Sequence, residues 1–321
     1  MTRATAGPPQ DEGNQPELEV LPFRCATSAR GRGDPLAGSA APARRWLLIE
    51  HPGPWNEQAV RSRPLDSPAG QSLAAAATGA GVRILLIRRP SRPRRDAVRA
   101  WAVVDHAQGA TTWGRWAAVD DLLEARGRLT GHVEPCGDQG PLFLVCAHGR
   151  RDVCCAVRGR PVARALSARW PQQTWECSHL GGDRFAANIL VVPDGTTYGR
   201  LAQHDAVRVV EAHLRGEVDT AYLRGSSADP PAAQAAVVDA MRRWGPAGPL
   251  DIRPTSVRTT SRDEWLVELS GSAPLPPAMT ATVTRRRRPA ERLTCRAAAA
   301  STADEYAVQW VTHGLSPDPG G

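Results

Sequence analysis

The chain has 321 residues, of which 41% are hydrophobic, and it carries a formal net charge of +7 with an isoelectric point near 9.5. It contains no apolar run near the ~20 residues of a membrane span and no hydrophobic signal core, so we expect a cytoplasmic protein without a membrane anchor. The arginine tracts at 88–95 and 285–288 lack interleaved aromatic residues and lie beside prolines, which predicts solvated loops and no nucleic-acid role.

The first part of the chain predicts a disordered tail followed by an α/β lobe. Residues 1–20 are rich in Pro, Gly and acidic residues, which favours disorder. A Gly- and Pro-rich loop is expected from Cys25 onward. The lobe is predicted over 21–130, with strands at 46–50, 82–87, 101–105 and 111–116 and helices at 70–79 and 120–126.

The second part repeats this order of elements. We predict a strand at 142–146, a helix at 153–169 interrupted near 159–161, strands at 174–177, 188–192 and 196–201, and a helix at 203–215. The order suits a thioredoxin-like sheet flanked by helices. The fold class is therefore predicted as α/β with two such lobes, the second over 131–225.

The remainder predicts a small C-terminal α+β extension over 226–313. It has a helix at 231–244, which begins at a proline and ends before Gly-Pro, and strand candidates at 265–269, 281–284 and 306–311. Residues 314–321 are predicted to be a flexible tail.

The cysteines concentrate in one stretch, 146–188. Four of the seven lie there: Cys146, Cys154, Cys155 and Cys177. An odd, clustered set in a reducing compartment favours metal binding or redox chemistry over a disulfide frame. Thiolates beside His179 and Asp183 indicate a metal centre more than a hydrolytic site.

Two short segments are predicted to present these groups. Cys146 ends a buried strand, and Asp152 is a plausible helix N-cap that places Cys154 and Cys155 in the first turn, where free N–H groups favour thiolate. Adjacent side chains on a helix diverge, so we expect one of this pair to be a ligand and the other to pack.

The second segment is the loop from His179 to Asp183. Gly181 and Gly182 let the backbone curl, which would bring these two side chains toward one point. Arg184 is a candidate to neutralise Asp183 or to donate hydrogen bonds at the site. The isolated thiols are predicted to be unliganded: Cys25, Cys136 and Cys295.

At these residues the chain resembles the sucrase/ferredoxin-like family of thioredoxin-like ferredoxins. The resemblance rests on LFLVCAHGRRDVCCAVRGRPVARAL at 142–166 and WECSHLGGDRFAANILVVPDGTTYGRL at 175–201, with RGDPLAGSAAPARRWLLIEHPGPW at 32–55. It covers roughly 22–215. It implies a ferredoxin domain that holds a [2Fe–2S] cluster.

In eukaryotic members of that family the cluster ligands are two cysteines with eight residues between them and two histidines in an HxxxH loop. The resemblance places these roles at Cys146, Cys155, His179 and Asp183, the last a departure from histidine. Cys177 and Cys154 stay open as alternative sources of the fourth ligand.

The leading hypothesis is one-electron transfer through mixed Cys/His ligands, in a carrier more than in an enzyme that turns over a substrate. An unidentified redox partner with an acidic face would complement the basic chain. The alternative is a cluster-free or zinc-binding thioredoxin-like module without redox activity, and a third is a thiol enzyme with Cys155 as nucleophile.

Overall fold

The structure is a computed structural model that describes residues 22–90, 98–134 and 140–311. The helices are α1 (Cys25–Gly31), α2 (Pro68–Gly79), α3 (Leu123–Gly127), α4 (Val153–Arg169), α5 (Gln203–Leu214) and α6 (Pro231–Trp244). The first strands are β1 (Arg45–Glu50), β2 (Val82–Arg88), β3 (Arg99–Asp105), β4 (Ala110–Trp116), β5 (Leu142–Cys146) and β6 (Thr174–Cys177). The others are β7 (Ile189–Val192), β8 (Thr196–Tyr198), β9 (Leu223–Ser226), β10 (Ile252–Ser261), β11 (Glu264–Gly271), β12 (Ala278–Arg287) and β13 (Asp304–Trp310).

Within the described ranges, nine strands form one sheet in the order β4-β3-β1-β2-β6-β5-β7-β8-β9. Each half of the sheet contains a parallel pair joined by a helix, β1-α2-β2 and β5-α4-β6, and antiparallel strands beyond the first member of the pair. The halves meet edge to edge where β2 runs antiparallel to β6, with Ile87 opposite Cys177 and Arg88 opposite Glu176. The predicted repeat of element order is therefore visible in the strand order.

Side chains alternate between the two faces of the strands, and this divides the core into layers. Leu47 and Ile49 of β1 pack in a cluster with α2, whereas Phe143 and Val145 of β5 pack in another with α4, α5 and α6. Successive residues of a strand point to opposite faces. The other face of both halves shares a third cluster, which includes Leu48 and Leu144 with Cys146, Cys155 and Cys177.

The C-terminal region forms a four-stranded antiparallel sheet in the order β10-β11-β12-β13. Helix α6 packs against it through the same cluster that contains α4 and α5. No helix among the described residues combines the length and the apolar character needed to cross a bilayer.

The α/β class with helices around a large sheet and a separate small sheet is confirmed. The lobe boundaries at 130 and 225 stay a prediction. The tails at 1–20 and 314–321 and Cys136 lie outside the described residues, as does 91–97, most of the first arginine tract.

Three local predictions were wrong, and two strands were missed. Cys25–Gly31 is helical and not a loop. Arg285–Arg287 belong to β12, and Arg285 pairs with Asp263 in the turn between β10 and β11. Helix α4 runs unbroken through Pro161. The proline leaves the carbonyl of Val157 without its helical partner, and Val157 is an exposed residue, so water can replace that partner. Strands β9 and β10 were not predicted.

Candidate metal centre

Cys146 is fixed at the end of β5 by backbone pairing on both sides. Its N–H donates to the carbonyl of Asn188 at 3.0 Å, and it lies opposite Cys177 of the parallel strand β6. A Cβ on Gly159 of α4 would overlap the Cys146 carbonyl oxygen. The absence of a side chain at Gly159 therefore lets α4 pack closely enough to bring its first turn beside Cys146.

The first turn of α4 presents the two adjacent cysteines in different directions. Asp152 is the N-cap, as predicted, and its carboxylate accepts the N–H of Cys154 at 2.8 Å. Cys155 faces Cys146, whereas Cys154 faces a separate group of thiols. The geometry thus separates the pair in the way that divergence of neighbouring side chains on a helix requires.

The loop after β6 brings His179 and Asp183 back to the same point. Gly181 and Gly182 have φ angles of +95° and +77°, in the left-handed region that glycine adopts without penalty. The side-chain amide of Asn188 donates to the carbonyl of Gly182 at 3.0 Å and holds the curl.

Three of the four predicted site residues converge here, and the fourth, Asp183, contacts two of them. The sulfurs of Cys146 and Cys155 and a ring nitrogen of His179 lie within 4.8 Å of one another. A carboxylate oxygen of Asp183 lies 3.1 Å from the Cys155 sulfur and 3.0 Å from His179 Nδ1. Among the described residues that buried nitrogen has no aligned hydrogen bond, and it faces the Asp183 carboxylate as an ion pair when the ring is protonated.

The two presenting segments shift the pKa values of each other's side chains. A hydrogen bond from Cys155 and the nearby His179 lower the pKa of Cys146 to about 5 although burial opposes this, and the same contact with Cys146 together with burial raises the pKa of Cys155. Burial alone would lower the pKa of His179, but Asp183 and Cys146 outweigh it and raise the pKa to about 9. These shifts favour a thiolate at Cys146, a carboxylate at Asp183 and a protonated ring at His179.

A buried guanidinium supports the loop from behind. Arg224 of β9 is 1% exposed and donates to the carbonyl of Gly181 at 3.0 Å and to the side chain of Asn188 at 2.9 Å. Burial lowers its pKa to about 9. Arg184, which was expected to serve Asp183, instead lies 3.3 Å from Asp34.

The two alternative fourth ligands are not in this group. Cys177 is fully buried in the shared core, where burial raises its pKa, and its sulfur is outside the set of donors that converge. Cys154 belongs to a second set, with Cys25, Asp152 and Cys295. Sequence reasoning missed this set because Cys25 and Cys295 are 270 residues apart, and only the Asp152 cap signal pointed toward it.

Comparison with known proteins agrees with this arrangement of motifs. A family model described as sucrase/ferredoxin-like matches residues 36–225, which is more than half of the chain and contains both presenting segments. The chain belongs to the sucrase/ferredoxin-like family. This confirms the family resemblance seen in the sequence, while the match itself names no ligand and no metal.

A curated relative of this family member is a yeast protein. The chain is 30% identical over 84 residues to "Altered inheritance of mitochondria protein 32" of Meyerozyma guilliermondii, which covers 23% of this chain and 30% of the relative. The match thus spans less than a third of the relative's length. No solved structure matches the chain.

Proposed function

We propose that this chain is an electron carrier that holds a [2Fe–2S] cluster at Cys146, Cys155, His179 and Asp183. The observation that carries the proposal is the convergence of two thiols from one segment with an imidazole and a carboxylate from another. Two donors for each of two irons, thiolate on one side and histidine on the other, is the pattern of mixed-ligand clusters.

The donor set fits the cluster in its chemistry. Thiolates are the form that iron binds, and the lowered pKa of Cys146 favours that form. A ring nitrogen of His179 would supply a nitrogen donor after it releases its proton. Asp183 is an oxygen donor in place of a second histidine, so three of the four donors follow the family pattern and the fourth is a carboxylate.

When bound, the cluster would accept and release one electron. The chain's residues set the surroundings of that electron. Cys146 and Cys155 are buried and exclude water, whereas the His179 side chain is 26% exposed and can exchange a ring proton with solvent. Imidazole ligation and the buried charge of Arg224 both favour the reduced state by offsetting negative charge.

The test is iron and sulfide content together with visible and EPR spectra of protein purified under anaerobic conditions. Cys146→Ser and Cys155→Ser should lose the cluster signal, and His179→Ala should shift it. Cys177→Ser is the matched control, because Cys177 is equally buried beside the site but is not in the converging set. A colourless wild-type protein without iron and sulfide would sink the proposal.

The second candidate is a zinc-binding module without redox activity. It is favoured by the compactness of the group, since donors within 4.8 Å of one another also suit a single tetrahedral ion. Zinc without iron, lost in Cys146→Ser and His179→Ala, would establish it in place of the cluster.

In either case we infer a cytoplasmic site of action, where thiols stay reduced. For the electron carrier we propose a redox partner with an acidic face, supported by the net charge of +7.

A further inference from the structure

A second group of thiols lies on the other side of the first turn of α4. It joins three distant parts of the chain: Cys25 at the start of α1, Cys154 with its neighbour Asp152, and Cys295 after β12. The sulfur of Cys295 lies 3.4 Å from that of Cys154 and 3.5 Å from that of Cys25. The donors of all four residues lie within 4.8 Å of one another.

We propose that Cys25, Cys154, Cys295 and Asp152 form a structural zinc site, separate from the proposed cluster site. Zn²⁺ binds thiolates at ~2.3 Å in a tetrahedron, which places the sulfurs about 3.8 Å apart. The observed separations of 3.4 and 3.5 Å are close to that spacing and well beyond the ~2.05 Å of a disulfide bond. Three soft donors and one carboxylate suit zinc.

Asp152 gives the site its shape. One carboxylate oxygen accepts the N–H of Cys154 at 2.8 Å, and the other accepts the N–H of Cys295 at 2.6 Å. Both oxygens lie 3.6 Å from the sulfur of Cys25. A carboxylate oxygen has two lone pairs, so each bond to a backbone N–H leaves one for a metal. Asp152 is fully buried, where an unpaired carboxylate would be costly and a cation beside it would remove that cost.

Backbone donors also favour thiolates in this group. The N–H of Cys25 points at the Cys295 sulfur at 3.5 Å. Cys154 lies in the first turn of α4, where the helix dipole stabilises negative charge. Binding of Zn²⁺ would release one proton from each protonated thiol. Cys295 is half-buried, while Cys25 and Cys154 are buried, so the ion would be reached from the Cys295 side.

The position indicates what the ion would do. Cys154 and Cys155 are neighbours in one helical turn, but each belongs to a different donor group. A zinc ion would tie the start of α1 and the segment after β12 to the turn that presents Cys155. The inference does not depend on the cluster, because the two sites share no residue.

The experiment measures zinc, iron and sulfide per chain in the full-length protein. We expect about one zinc per chain in wild type, and its loss in Cys25→Ser and Cys295→Ser with iron content retained. Cys177→Ser and Cys146→Ser are the controls and should keep the zinc. Zinc that persists in Cys295→Ser, or that is lost only with Cys146→Ser, would overturn the proposal.

Two further measurements cover a variant that fails to fold. Cobalt added to metal-free wild type should give intense sulfur-to-cobalt absorption, and Cys295→Ser should lose the part of this absorption that Cys146→Ser keeps. Asp152→Asn keeps an N-cap side chain and should fold but bind zinc at least tenfold more weakly. Mass spectrometry after alkylation that shows a disulfide within the trio, in zinc-free protein, would refute a metal site.

Discussion

Asp183 contacts both presenting segments of the candidate centre. Its carboxylate is 3.1 Å from the Cys155 sulfur and 3.0 Å from His179 Nδ1, so it contacts one candidate donor from each segment. His179 lowers the pKa of Asp183 although burial opposes it, which keeps the carboxylate ionised. In the proposed cluster site, the departure from histidine would supply a harder oxygen atom and one more negative charge.

The curved backbone of the loop depends on Gly182. The first prediction concerns the substitution of this residue. A Cβ there would lie 2.8 Å from the Arg224 Cζ and closer still to Nη2, on a backbone with φ of +77°. The free energy of unfolding of Gly182→Ala should fall by about 1–2 kcal/mol because of the left-handed backbone and by a further ~1–3 kcal/mol because of the overlap with Arg224. The iron content should also fall. Urea unfolding and metal analysis measure both effects.

Gly216→Ala is the matched control. Gly216 has a similar φ of +80°, but a Cβ there meets no atom within 4 Å. It should lose only the backbone contribution and keep full iron content. Equal losses in both variants would show that the contact with Arg224 does not hold the loop.

At this scale the sequence predicted the main group and missed its surroundings. The family resemblance pointed to Cys146, Cys155, His179 and Asp183, each pair of which lies in one short segment, and their role as ligands stays a prediction. Cys25 and Cys295 come from segments 270 residues apart, and no local pattern indicates that they meet. Arg224 is a buried arginine in a strand, where burial depends on partners supplied by the tertiary fold.

At the scale of elements, the predictable parts were those with a strong local pattern. Apolar runs such as β5 and β2, and α6 with proline at its start, were predicted close to their observed bounds. Helix α1 has no N-cap side chain and β9 contains glycine, so tertiary contacts decide their structure. Strand β10 is mostly exposed and contains Pro254, which makes it look like a loop.

The turn between β7 and β8 is fixed to α5 by one carboxylate, which gives the second prediction. Asp194 accepts from the N–H of Thr196 at 2.7 Å and contacts His213 Nε2 at 3.1 Å. Burial would raise the pKa of Asp194, but His213 and Thr196 lower it below the ordinary 3.8. Asp194→Asn should destabilise the fold by about 1–3 kcal/mol at neutral pH.

The pH dependence follows from that lowered pKa. The unfolded chain binds the proton first as pH falls, so the stabilisation by Asp194 is present above pH 3.8 and lost as pH drops through the lower folded value. The gap between wild type and Asp194→Asn in unfolding free energy should therefore close in acid. Asp66→Asn, which removes an exposed pair with Arg63, should cost less than about 1 kcal/mol. A gap that stays constant down to pH 2 would contradict the assignment.

At the scale of the whole molecule, the two halves of the large sheet meet at a short junction. Arg88 donates to Glu176 at 2.8 Å there, with side chains 20% and 8% exposed, and its guanidinium lies over the ring of Trp55 at 4.2 Å. Glu176→Gln leaves the arginine beside a neutral group and should cost about 1–3 kcal/mol. Because the halves share a core, unfolding in urea should remain a single transition.

A Glu-to-Gln substitution in an exposed ion pair is the control for Glu176→Gln at the junction. Glu211 pairs with Arg169 at 2.7 Å, with side chains 31% and 60% exposed, so Glu211→Gln should cost less than about 1 kcal/mol. Equal costs at the two positions would mean that burial adds nothing at the junction. Two separate transitions in wild type would show that the halves fold independently.

The charge distribution gives the last prediction, which rests on the proposed electron transfer. Two adjoining clefts of about 370 and 350 Å³ share Asn56 and Arg150, and they are lined also by Arg61, Arg63 and Arg296. They lie beside the candidate centre, since the Asn56 carbonyl lies 2.8 Å from Nε2 of His148, two residues after Cys146. A basic cleft raises the encounter rate with anions, and salt screens this effect.

We therefore expect ferricyanide to oxidise the reduced protein more slowly as salt increases. The double variant Arg150→Gln/Arg296→Gln should slow the low-salt rate by about threefold to tenfold and flatten the salt dependence. Arg242→Gln/Arg243→Gln removes the same charge from the exposed end of α6 and controls for net charge alone. Stopped-flow absorbance gives these rates. If both double variants slow the reaction equally, the field is that of the whole chain, and the cleft is not where an acidic partner docks.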